Sequence, residues 1–121
     1  MNTEIVKRGN AAIAVITSDT PVITDEATAF DIMMSCAYDT DTRLVAIEKS
    51  ALAADFFKLS TGLAGGILQK FVNYRFRVAI YGDFSGYASK PLKDFIFESN
   101  RGGVILFVQD MEQAIARLSE Q

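Results

Sequence analysis

Two short stretches hold residue types that can do chemistry. In the first, Ser60 and Thr61 run directly into Gly62, Gly65 and Gly66. Hydroxyls at the mouth of a helix cap its free backbone N–H groups, accept a phosphoryl group, or help to hold a small anion. The second stretch is Gly82-Asp83-Phe84-Ser85-Gly86, which follows an apolar run as Lys49 follows an earlier one. A carboxylate, a hydroxyl and an amine that converge can do acid–base work or bind a polar ligand. The same Gly, Asp and Ser also build ordinary turns.

Several chemistries are excluded by what is missing. The chain has no histidine, so Ser-His-Asp and Cys-His nucleophile systems and His-ligated zinc cannot be built within it. The lone Cys36 sits in the apolar run Ile32–Ala37; it reads as a buried small hydrophobe and has no partner for an intrachain disulfide. The glycines follow neither the GxGxxG nor the GxxxxGK[ST] order. No catalytic set, metal site or cofactor motif is read.

These residues need elements to position them. Ile5-Val6 and Ala11–Ile16 flank Lys7-Arg8-Gly9-Asn10, which predicts an opening β-hairpin. Thr24 reads as the cap of a helix carrying Ala27, Phe30, Met33, Met34 and Ala37 at helical spacing. Strands follow at 44–47, 76–81 and 104–108. Between them lie a helix at about 61–73 and another capped by Ser89 with Pro91 in its first turn. Asp110 and Gln113 open a last helix. The order β-β-α-β-α-β-α-β-α predicts one α/β domain over residues 1–121, with a mixed sheet of about five strands and about four helices.

On a helical wheel, Gly62, Gly65, Gly66, Gln69 and Asn73 share a narrow stripe opposite Leu63, Ala64, Ile67, Leu68, Phe71 and Val72. Each interior glycine costs about 1 kcal/mol against alanine, so the stripe needs a reason. Close packing by a neighbouring element, a second subunit, or a partner surface would each supply one.

The 121 residues are half hydrophobic and carry a net charge of −3. That balance argues against a nucleic-acid partner. No apolar run is long enough to cross a bilayer, and Met1–Glu4 lacks the regions of a signal peptide. A cytoplasmic location is expected.

The element order, with Leu59-Ser60-Thr61-Gly62-Leu63-Ala64, resembles the STAS fold of anti-sigma-factor antagonists. In that family a serine or threonine opening the second helix is phosphorylated by a partner kinase. By position Ser60 matches the phosphoacceptor, Thr61 the next hydroxyl, and Asp19 the acidic residue kept near the acceptor. Leu59 stands where the family has an aspartate. At closer range, Asp55–Gly65, Ile67–Tyr74, Gly82–Ser85 and Lys93–Asn100 resemble a bacterial family catalogued only as a domain of unknown function, number 4180.

The hydroxyl-glycine helix start and the missing catalytic apparatus lead to the expectation of a non-catalytic regulatory module with a protein partner, kinase-like or regulatory, using the glycine face and switched at Ser60. The alternative is a small-ligand binder or enzyme using Asp83, Ser85 and Lys49 at the strand ends. A homodimer through the glycine face is a third expectation.

Overall fold

The computed structural model describes residues 1–120. Strands β1 (Asn2–Arg8) and β2 (Ala11–Thr17) form the expected hairpin, followed by α1 (Glu26–Asp39), β3 (Leu44–Glu48), α2 (Leu63–Asn73), β4 (Arg77–Tyr81), α3 (Lys90–Gly102), β5 (Ile105–Val108) and α4 (Met111–Ser119). Three short 3₁₀ turns, Lys49–Ala51, Ala54–Phe57 and Leu59–Thr61, link β3 to α2. The sheet order is β1-β2-β3-β4-β5, antiparallel between β1 and β2 and parallel thereafter. The α/β architecture with a five-stranded mixed sheet is therefore the one predicted. No described helix is long and apolar enough to cross a membrane.

The strand order decides where the helices go. From β2 to β5 each parallel strand is laid beside the last in one direction, and right-handed crossovers then place α1, α2 and α3 on one face. Ala29, Met33, Ile67, Phe71 and Leu92 pack there against Ile16, Val45, Ile47, Val78 and Ile80. The other face is left to α4, whose Ala114, Ile115 and Leu118 lie over Ile13, Val15, Ala46, Ala79 and Leu106. Alanine at 46 and 79 leaves room for the helix to approach. Arg77 fixes its end: the guanidinium donates to the carbonyls of Gly103, Leu118 and Glu120 at 3.1, 3.4 and 3.2 Å. A cation there also answers the negative end of the helix dipole.

Caps differ from expectation by a residue or two. Asp25, not Thr24, caps α1: its carboxylate accepts from Thr28 N–H at 2.8 Å, and Thr28 Oγ1 accepts from Asp25 N–H at 3.1 Å. Spacing decides this: three residues after Asp25 stands Thr28, whose hydroxyl completes the capping box, whereas three after Thr24 stands Ala27, which has no acceptor. Helix α2 starts at Leu63, after Gly62 has turned the chain at φ +75°. Cys36 is buried, as expected, and burial with the nearby Asp39 charge pushes its thiol pKa up.

Candidate functional site

Parallel strands deliver their outgoing loops to one sheet edge. Here those loops are 18–25 after β2, 49–62 after β3, 82–89 after β4 and 109–110 after β5. Of the candidate site residues, Asp19, Lys49, Ser60, Thr61, Gly62, Asp83 and Ser85 lie in them, whereas Gly65, Gly66, Gln69 and Asn73 lie on α2.

The two hydroxyls of Ser60 and Thr61 have different fates. Thr61 Oγ1 donates toward the carbonyls of Asp55 and Lys58 at 2.9 and 2.8 Å and accepts from Leu63 N–H at 3.2 Å. It ties two 3₁₀ turns to the start of α2. Ser60 is exposed and has no hydrogen-bond partner among the described residues. It borders a groove of about 590 Å³ between the N-terminal ends of α2 and α3, walled by Phe57, Leu59, Tyr87, Pro91 and Leu92. Ser89, on the far wall, is occupied as the cap of α3 and accepts from Leu92 N–H at 3.3 Å.

The glycine stripe divides in the same way. A Cβ on Gly62 or Gly65 would meet nothing within 4 Å. Gly66 departs from the expected open face, since a Cβ there would lie 2.7 Å from Glu26 Oε2 in the first turn of α1. The neighbour is the carboxylate end of an exposed, flexible side chain. Gln69 and Asn73 are exposed and bonded to each other, Nε2 to Oδ1 at 2.8 Å.

Asp83, Ser85 and Lys49 do come together, but as parts of a turn. Asp83 Oδ1 accepts from Ser85 N–H at 2.9 Å and Ser85 Oγ–H at 2.6 Å, while Lys49 Nζ donates to the Asp83 carbonyl at 2.6 Å. The Ser85 bonds, with Lys49 nearby, hold the Asp83 carboxyl below its ordinary pKa. Lys49 also lies 4.6 Å from the ring centroid of Tyr87 and 5.7 Å from that of Phe84. Gly82 is what lets it through, because a Cβ at 82 would sit 2.7 Å from Lys49 Cβ. The three do not share one cavity. Asp83 and Ser85 line a hollow of about 740 Å³ with Gln113 and Arg117, whereas Lys49 lines a separate one of about 360 Å³.

Asp19 is exposed between β2 and α1 and makes no hydrogen bond or ion pair with Ser60. The acid doing structural duty nearby is Glu48, whose Oε1 accepts from Ser18 N–H at 3.2 Å and Ser50 Oγ–H at 3.0 Å. Opposite it in the register is Tyr81, only 6% exposed, with a buried hydroxyl that has no partner. Burial, with the Glu48 charge, pushes its pKa up to about 12. Tyr81 reads from sequence as a packing residue. The signal for more was the Glu48–Tyr81 pairing, which only the strand register supplies.

These features define a small α/β domain whose strand-end edge is mostly bonded to itself, with the unbonded hydroxyl of Ser60 beside an apolar groove and a bare helix turn. A family model described as a domain of unknown function (DUF4180) matches residues 8–118, and the chain belongs to that family. No curated protein and no solved structure matches it.

Proposed function

We propose that the chain is a STAS-like regulatory module, without catalytic activity of its own, that binds a protein partner at the α2 entrance and is switched at Ser60. The docking surface comprises the groove from Phe57 to Leu92, the open glycines Gly62 and Gly65, and the exposed Gln69 and Asn73. A single contrast carries this reading. Of two adjacent hydroxyls, Thr61 is spent on three local hydrogen bonds while Ser60 is exposed and unbonded.

The local electrostatics suit a switch. In the first turn of α2, Leu63 N–H is bonded to Thr61 Oγ1 and Gly66 N–H to the Gly62 carbonyl, which leaves the amides of Ala64 and Gly65 for an anion. A phosphoryl group on Ser60 would bring about −1.5 to −2 charges to the positive end of that helix. The same charge on the groove rim would desolvate poorly under an apolar partner surface. Phosphorylation is therefore tolerated by the fold and unfavourable for docking.

The test is mass-spectrometric mapping of the chain isolated from its own cells under phosphatase inhibition. The expected result is one phosphoryl group on Ser60 and none on Thr61. Modification at Thr61, whose hydroxyl hydrogen is engaged, or none at either residue, would count against the switch.

A further inference from the structure

The chain treats the two ends of its sheet differently. At the β5 end, Asn100 of α3 lays its side-chain amide along the strand. Phe107 N–H donates to Asn100 Oδ1 at 2.7 Å, and Asn100 Nδ2 donates to the Phe107 carbonyl at 3.2 Å. One side chain thus occupies both edge groups of a residue within a four-residue strand. That closes β5 to another strand.

The β1 end is open. Arg8 lies opposite Ala11 across the two-residue turn Gly9-Asn10, so Asn2, Glu4, Val6 and Arg8 aim their N–H and C=O groups at β2. Thr3, Ile5 and Lys7 aim theirs outward, and no described residue bonds them. The strand runs seven residues in unbroken register with no proline to interrupt it. Natural proteins usually blunt such an edge.

The charge pattern of β1 selects its partner. We propose that β1 pairs antiparallel with β1 of a second copy, about a two-fold axis at Val6, merging the two sheets into one. In this register Glu4 faces the partner's Arg8 and Arg8 faces the partner's Glu4, so two opposite charges meet on each side of the axis. Val6 meets the partner's Val6. Ile5 lies opposite the partner's Lys7, and both residues carry outward-facing groups, so each such pair exchanges two backbone hydrogen bonds. Centring the axis on Ile5 instead sets Glu4 against the partner's Val6 and loses the charge match. Arg8 already pairs with Glu112 on α4, which holds it in place on the surface. Met1 and Ile5, 69% and 36% exposed, border the same edge and would be covered in part.

Sedimentation equilibrium of the full chain, from micromolar to several hundred micromolar, tests this. Wild type is expected at twice the chain mass. Ile5→Pro removes an outward N–H that β2 does not use, so it is expected to fold, by circular dichroism, and to sediment as a monomer. Glu4→Lys places like charges opposite each other and is expected to weaken the dimer by about tenfold or more, most strongly at low salt. A monomeric wild type overturns the proposal, as does a folded Ile5→Pro that dimerises like wild type. Should Ile5→Pro not fold, an undiminished dimer in Glu4→Lys overturns it equally.

Discussion

Tyr81 is the residue whose surroundings fit its chemistry least well. Its ring fills the α4 side of the sheet beside Val108, yet its buried hydroxyl has nothing to bond. An unpartnered buried hydroxyl costs about 1–3 kcal/mol. Tyr81→Phe keeps the ring and removes that cost, so it is expected to match or exceed wild-type stability at neutral pH by about 1 kcal/mol. The alkaline limb gives a second check. The native pKa is about 12, while an unfolded tyrosine titrates near about 10. Between those values the unfolded chain has lost a proton that the native chain still holds, so stability falls as pH rises through the window. Tyr81→Phe should lose that part of the fall. Urea unfolding followed by circular dichroism reads both, and a markedly less stable variant would mean the hydroxyl has a partner after all.

At the scale of elements, helix α2 carries the account. Of its expected core arc, Ala64, Ile67, Leu68 and Phe71 are buried, Leu63 is half-buried at the helix start, and Val72 in the last turn is exposed. The wheel set three glycines on one stripe, but Gly62 lies before the helix in the left-handed region and Gly66 looks at Glu26. That depends on where α1 lies, and a single helix's periodicity holds no such information. Gly65 faces open space, so nothing inside the chain needs it bare. Gly65→Ala is accordingly expected to raise stability by about 0.5–1 kcal/mol through helix propensity alone. Urea unfolding again decides, and a loss would reveal an internal contact for Gly65. A residue that costs the fold stability without packing against it suits a surface kept flat for something external. The hydroxyl pair teaches a similar lesson. Sequence placed Ser60 and Thr61 together, and only the path of the 3₁₀ turns showed which of them the carbonyls of Asp55 and Lys58 would claim.

At the scale of the molecule, element order and sheet composition were legible because the apolar periodicities are clean. The distribution of helices over the two faces follows from right-handed crossovers once the strand order is known, and that order is a tertiary fact. Strand-end chemistry was least legible. Asp83, Ser85 and Lys49 have the types a site would need, yet their mutual bonds and the Lys49 stem under Gly82 make them a clasp for the loop. Besides the β1 edge, the surface left unspoken for is the α2 entrance. The most direct test of its role is capture from host-cell lysate with wild type, Gly65→Arg and Ser60→Glu as baits, read by mass spectrometry. Gly65→Arg adds a long cation where a Cβ meets no neighbour, so the fold should stand, with circular dichroism as the control. The account predicts that a specific protein is retained by wild type and lost from both variants. Equal recovery by all three folded baits, or nothing retained by wild type beyond Gly65→Arg, would contradict it.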